Sequence, residues 1–283
     1  MRQKIILMPS YTIGICAYNE QENVGKLLER VLSEKVGNLR KVVVVAGGND
    51  RTFDLVADFA ARERIVDVVR DVGKGKSSAM NEIIKRSVGE FVVFISGDNL
   101  PSKGSIEEML TSFKPGVVAV VGRPKPSSKN RLENLLWELH HQVARLIPKI
   151  SGEMFAVRKE SLREIPENVI NDDAYLTSML KEEGRIVYVP SAVTNMIDDS
   201  GLRDFFRRRR RIAIGFIQLK KRGLRGGHVP LTMKVKLVLK SLKRGTITAL
   251  MGLVFLEILA VLMAYIDYYR GFIPYNWRAR WMP

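Results

Sequence analysis

Phe91-Val92-Val93-Phe94-Ile95-Ser96-Gly97-Asp98-Asn99 is the stretch whose reading decides the fold. A strand of five apolar residues with no polar face is covered on both sides, as in a parallel sheet flanked by helices. Working back towards the start of the chain, Tyr11–Ala17, Lys41–Ala46 and Ile65–Val69 repeat this pattern. Helix-like runs at Gln21–Leu32, Thr52–Ala61 and Ser77–Arg86 separate them. The alternation predicts a doubly wound α/β start. Such sheets bind ligands outside the carboxyl ends of their strands, so the polar residues after each strand should converge on one crevice. Those residues are Asn19 and Glu20; Asn49 and Asp50; Arg70, Asp71 and the loop Gly73-Lys74-Gly75-Lys76-Ser77; and Ser96, Asp98 and Asn99.

Moving outward the other way, the chain carries a turn region over 124–130, an amphipathic stretch over 132–147 and a short segment over 151–157. The adjacent acids Asp172 and Asp173 then lead into a helix-like run to Glu182, and a strand follows at Ile186–Val189. The 283 residues suffice for one α/β domain of about 200 residues plus an appendage. One cysteine, Cys16, excludes an internal disulfide, and within its apolar run it reads as a structural thiol. Three scattered histidines exclude a His-based metal cluster. His140 and His141 read as helix-surface residues or acceptor contacts, and His228 carries no assignment.

Net charge is +16, which suggests a nucleic-acid binder until its position is considered. Between Arg203 and Arg244 there are fifteen Lys or Arg residues against one acid, Asp204, so this segment holds +14 of the total. A basic reading face would be spread over the domain. A polybasic run directly before an apolar stretch instead attracts anionic lipid at about 1 kcal/mol per residue, so anionic lipids are the expected partner and nucleic acid is not. From Thr246 to Ile266 the only charge is Glu257, and roughly 21 residues reach about 31 Å, one hydrocarbon thickness. Tyr268, Tyr269, Arg270, Trp277 and Trp281 follow in the pattern of a membrane interface. A buried helix of a soluble domain is the rival reading, because a mid-membrane carboxylate is costly unless protonated or facing protein. No signal peptide is expected at the N-terminus. The expected division is a catalytic domain over 1–200, a polybasic interfacial segment over 201–245, a transmembrane or membrane-inserted helix over 246–268, and an aromatic and basic tail over 269–283.

Several motifs admit two readings. The Gly75-Lys76-Ser77 loop is not an ATPase phosphate loop, since Arg70 stands where that pattern needs glycine. A Gly-rich turn opening a helix can still hold a diphosphate through backbone N–H groups and lysine charge; a plain strand-to-helix turn accounts for the loop equally well. Asp98 suits Mg²⁺ or Mn²⁺ bridging two phosphates, since both prefer hard oxygen ligands, or it caps a loop. Asp172 and Asp173 either complement a helix dipole or act together, with Asp173 as general base and Asp172 raising its pKa. Of the run Arg207–Arg211, most members suit a solvated or membrane-facing surface, while Arg208 and Arg211, three apart, could reach one diphosphate.

Taken in order, these pieces resemble the family 2 glycosyltransferases, inverting enzymes of the GT-A fold, over roughly residues 10–215. Ile15-Cys16-Ala17-Tyr18-Asn19-Glu20 is similar to the family's Pro-Ala-Tyr-Asn-Glu, which implies nucleoside contacts from Ala17, Tyr18 and Glu20. Gly47-Gly48-Asn49-Asp50-Arg51-Thr52 resembles its Asp-Gly-Ser-Thr-Asp-Gly-Thr turn, and Gly75-Lys76 through Asn81 its Gly-Lys-x-x-Ala-Leu-Asn loop. These matches put Gly47, Asp50, Lys76 and Asn81 on the donor side. Ser96-Gly97-Asp98 occupies the Asp-x-Asp position, and with Ser96 in place of the first acid, Asp98 is left as the main metal ligand. Ser151-Gly152-Glu153 resembles the acceptor-side turn, Asp172-Asp173-Ala174-Tyr175-Leu176 the base motif, and Arg208 to Ile212 the Gln-x-x-Arg-Trp motif near the diphosphate. Ala46 stands where the family often has a base-reading aspartate. Arg208 and Ile212 replace Gln and Trp, which points away from a polymer-extruding synthase, as does a single span with no room for a channel.

The resemblance implies direct displacement at the anomeric carbon, with Asp173 removing the acceptor proton while Asp98-bound metal, Lys76 and Arg211 stabilise the leaving diphosphate. The expected donor is a UDP-sugar ahead of a GDP-sugar. The expected acceptor is a membrane lipid or polyprenyl-linked sugar hydroxyl, with the catalytic domain on the cytoplasmic side of a membrane. A polyprenyl (dolichyl) phosphate acceptor is the alternative. Two readings of other classes are a nucleotidyltransferase, which would show a Gly-rich loop straight after the first strand, and a basic membrane-binding module, which leaves Asp98 and Asp173 without a purpose.

Overall fold

The computed structural model describes residues 9–34, 37–127, 131–197, 202–224 and 247–272, with positions 226, 229, 232 and 233. Most of the segment between Leu224 and Ile247, including His228, and the tail with Trp277 and Trp281 lie outside the described residues.

The four apolar runs form a parallel array: β1 (Ser10–Tyr18), β2 (Asn38–Gly47), β3 (Val66–Arg70) and β4 (Phe91–Ser96). Helices α1 (Val24–Glu34), α2 (Thr52–Arg62) and α3 (Lys76–Arg86) connect them. Both faces are sealed, as an all-apolar strand requires. Val42, Val44, Val93 and Ile95 join one cluster with α1, and Val43, Val45, Val92 and Phe94 join another with α3. The chain continues through β5 (Asn99–Pro101), α4 (Ser105–Thr111), β6 (Val117–Lys125), α5 (Arg131–Leu146) and β7 (Met154–Arg158). It ends in α6 (Asp172–Glu183), β8 (Arg185–Met196), α7 (Leu202–Lys221) and α8 (Ile247–Tyr269).

Among the described residues eight strands make one sheet in the order β3-β2-β1-β4-β7-β6-β8-β5. Beyond β4 it turns mixed: β7 lies antiparallel between β4 and β6, while β8 runs parallel to β6. The sequence reading has no element at β5, α4 or β6, and β6 runs through Pro124 and Lys125 into the expected turn region; the strand at Ile186–Val189 extends to the twelve residues of β8. The antiparallel β7 brings Gly152 and Glu153, just before its first residue, to the carboxyl end of β4 beside Ser96.

Among the described residues one helix, α8, is long and apolar enough to cross a membrane. It packs along α7 and α5.

Candidate active site

The crevice at the strand ends is built largely from backbone. Gly97 N–H donates to Cys16 O at 2.8 Å, which holds the ends of β1 and β4 together. A Cβ on Gly97 would lie 2.9 Å from Glu20 Cγ and 3.0 Å from Ala17 Cα, so only glycine lets Ala17, Glu20 and the Ser96–Asp98 turn meet. Tyr18, at the end of β1, is exposed. Asp50 ties two loops: it accepts from Gln21 N–H, Thr52 N–H and Thr52 Oγ1 at 3.2, 3.0 and 2.6 Å. Burial pushes its carboxyl upward, but the Thr52 hydroxyl and these N–H donors outweigh it and hold the pKa below the ordinary value. Gly47 lies against Asp71, where a Cβ would come within 2.8 Å of the Asp71 side chain. Asn81 faces away from this group: its amide donates to Ile165 O and accepts from Ile165 N–H, both at 2.8 Å, so it fixes the 165 loop.

Lys76 joins the two halves of the site. As first residue of α3 its ammonium donates to Ser96 Oγ and to Gly152 O, each at 3.0 Å, and Ser96 Oγ also donates to Gly152 O at 3.1 Å. Burial works against its charge. The carboxylates of Asp172, Glu153 and Asp98 and the Cys16 thiol outweigh that, so the pKa is raised and the ammonium stays charged. One cation therefore stands among acids from β4, the β7 turn and α6. Burial lifts the Cys16 thiol to about 12, which leaves it protonated and inert.

On the far side, Ser151 Oγ donates to the Glu153 carboxylate. Burial raises the Glu153 pKa, with Asp173 adding to the rise and Ser151 and Lys76 opposing it. Asp173 lies in the first turn of α6, where a helix dipole alone would lower its pKa. The direction is upward: burial, then the neighbouring Asp172 carboxylate, outweigh Lys149, the Ala174 N–H and Lys76.

A brace holds that turn in place, and the sequence reading missed it. Arg211 donates to Ile170 O at 3.0 Å, Asn171 Nδ2 to Ile212 O at 2.9 Å, and Gln218 to Asn168 O at 2.6 Å. Gln218 also accepts from Ile170 N–H at 3.1 Å. Helix α7 thereby straps residues 168–171, the lead into Asp172 and Asp173. The approach is close enough that a Cβ on Gly215 would sit 2.4 Å from Asn171. Lys149 is a second omission, acting on Asp173 from a segment without a sequence motif. Arg208 and Arg211, expected to share one diphosphate, make different contacts within the protein. Arg208 pairs with the buried Glu133 of α5 at 2.8 Å, whereas Arg211 faces Asp172 and Asp173.

Among the described residues no group of three or more His, Cys, Asp or Glu side chains converges on a point. Asp98, with Oδ1 accepting from Asn99 at 2.7 Å, supplies a hard carboxylate at the end of β4. The donor set therefore fits a divalent cation that takes most of its ligands from a bound phosphate, and does not fit one caged by protein alone.

The sequence model of Glycosyl transferase family 2 matches residues 12–169, more than half of the chain. The chain belongs to glycosyl transferase family 2 and has the GT-A fold. It is 24% identical over 218 residues to poly-beta-1,6-N-acetyl-D-glucosamine synthase of Staphylococcus epidermidis, covering 71% of this chain and 53% of that one. The enzyme of the same name from Staphylococcus aureus is 24% identical over 221 residues. The chain spans about half the length of these curated relatives. Among solved structures it resembles the mannosyltransferase PcManGT of Pyrobaculum calidifontis, in complex with GDP-Man and Mn²⁺. The TM-score is 0.62 at 22% identity, over 94% of this chain and 76% of that one. It also resembles glucosyl-3-phosphoglycerate synthase of Mycobacterium tuberculosis with Mn²⁺ and UDP-Glc, at a TM-score of 0.55 and 19% identity, over 76% of this chain and 80% of that one.

Proposed function

We propose that the chain moves a sugar from a nucleoside diphosphate donor to a hydroxyl acceptor at a membrane surface, with inversion at the anomeric carbon. The observation that carries this reading is Lys76, whose ammonium bridges Ser96 and Gly152 while the carboxylates of Asp98, Glu153 and Asp172 surround it. A donor-side corner and a base-side corner thus share one cation.

The acceptor oxygen attacks the anomeric carbon from the face opposite the diphosphate. The new C–O bond forms as the bond to the diphosphate oxygen breaks, and Asp173 takes the hydroxyl proton. A carboxyl whose pKa is raised suits that task, because a base works best near the ambient pH. The N-terminus of α3 and the Lys76 charge favour the negative charge that develops on the leaving group. Mg²⁺ or Mn²⁺ held by Asp98 and the donor's phosphates would neutralise part of the same charge. Tyr18, Ala17 and Glu20 line the nucleoside end, and Ser151, Gly152, Glu153 and Asp172 line the acceptor end. Arg211 serves the base turn more directly than the diphosphate, and Arg208 is committed to Glu133. We place the catalytic domain on the cytoplasmic face of the membrane.

A lipid-linked sugar and the end of a growing saccharide present the same hydroxyl chemistry, and the name of the staphylococcal relatives supports the saccharide. The test is transfer from UDP-sugars and GDP-sugars, with Mn²⁺, to membrane lipid extracts and to short β-linked glucosamine oligosaccharides. A labelled product with inverted configuration in either arm supports the reading, and the arm that labels names the acceptor class. Donor hydrolysis with no transfer in either arm contradicts it. Near-normal transfer by Asp173→Asn would favour an acceptor already ionised, such as a polyprenyl phosphate.

A further inference from the structure

Helix α8 has two faces at helical spacing. Leu250, Leu253, Glu257, Ala260, Ala264 and Asp267 turn inward, and Ala260 and Ala264 are 1% and 0% exposed. Met251, Val254, Phe255, Ile258, Leu262 and Ile266 turn outward, with Met251 and Phe255 68% and 65% exposed. An unbroken apolar stripe about four turns long is far more than a lone exposed side chain.

The inward face is pinned to a helix that has no place in hydrocarbon. Arg209 of α7 pairs with Glu257, and Arg210 pairs with Asp267 through both carboxylate oxygens. Further along, Ile214 packs on Ala264, and Lys221 Nζ lies 4.5 Å from the Tyr268 ring and 4.9 Å from the Tyr269 ring. The two helices therefore run side by side from Glu257, near the middle of α8, to Tyr269 at its end. Were α8 to cross a bilayer, the arginine run of α7 would enter the hydrocarbon with it, and Lys220, Lys221 and Arg222 would pass to the opposite side.

We infer that α8 does not span the membrane but lies in its plane, with the outward stripe buried among the acyl chains of an anionic leaflet. Charge complementarity selects that occupant. Arg203, Lys220, Lys221, Arg222 and Arg270 are exposed on the body that carries the stripe, and the polybasic run through Arg244 joins α7 to α8. The combination of an apolar face, flanking tyrosines and cations is that of an interfacial helix. This inference rests on the membrane part of the reading above and, of the two expectations for 246–268, takes the membrane-inserted helix over the transmembrane one.

The test uses the full chain with sealed vesicles rich in phosphatidylglycerol. The double variant Phe255→Asp and Leu262→Asp places two charges on the outward face and leaves the pairs to α7 intact, and should lower vesicle sedimentation at least tenfold while circular dichroism is unchanged. In a Cys16→Ala background, the Arg270→Cys thiol should react with an impermeant maleimide equally well with and without detergent. A thiol shielded until detergent is added would overturn the in-plane orientation while leaving membrane attachment standing. An intact chain that ignores the vesicles, or a double variant that sediments as well as its parent, would overturn the docking itself. Loss of a dimer in the double variant, without any vesicle binding, would assign the stripe to a second copy.

Discussion

The two halves of the crevice, which the proposed reading gives to donor and acceptor, are built in different ways. At the ends of β1, β2 and β4 the working groups are placed by contacts between adjacent strand ends and their loops: a glycine where two strand ends touch, and short loops tied by Asp50 and Thr52. Around Asp173 they are placed by side chains reaching across the molecule, from α7 to the 168–171 turn and from Lys149. A locally coded half tolerates changes at its periphery. A half assembled from distant contacts depends on each brace.

The largest expected effect lies at the centre of the acceptor half. Asp173→Asn should cut single-turnover rate by roughly 10²-fold to 10⁴-fold while donor affinity stays nearly unchanged, because a general base acts in the transition state alone. Loss of donor affinity together with rate would blur the two halves into one.

Next comes the pH profile. In the proposed role Asp173 would work as a base only when deprotonated, and its pKa is raised, so turnover should fall with decreasing pH through a limb above the usual carboxylate range. Asp172→Asn removes the like charge beside it, which should move that limb to lower pH; burial, the larger cause, remains. A limb that stays in place would separate Asp172 from the base.

The comparison is also why the sequence discloses one half better than the other. Val42–Val45 and Phe91–Ile95 announce parallel strands by composition alone, and Ser96-Gly97-Asp98 follows at the position where a ligand crevice must open. Asn171, Gly215 and Gln218 carry no such mark, because their contacts span more than forty residues and depend on how α7 lies. The arginine run shows the limit most clearly. Spacing set only Arg208 and Arg211 apart from the rest of the run, and in the fold Arg208, Arg209, Arg210 and Arg211 take four different partners. Within the sheet, the antiparallel pairing of β7 was out of reach for a related reason, since two strands and two helices separate it from β4 in sequence and α5 separates it from β6.

Stability measurements sharpen the contrast. Gly215→Ala should cost about 1–3 kcal/mol, read as a lower urea midpoint at unchanged slope, because the added methyl cannot fit beside Asn171. Turnover should fall with it. Arg86→Ala, which removes ion pairs to Asp67 and Glu82 at the periphery of the donor half, should cost less than about 1 kcal/mol and leave turnover alone. Equal costs for the two would erase the distinction.

The claim on which everything else depends is that the Lys76 and Asp98 corner receives a nucleoside diphosphate. Titration calorimetry with UDP and GDP, each with and without Mn²⁺, measures it directly. The intact chain should bind at least one of them more tightly when Mn²⁺ is present, and Asp98→Ala should lose that dependence while its urea midpoint stays put. Mn²⁺-dependent binding of equal affinity in Asp98→Ala would contradict the account.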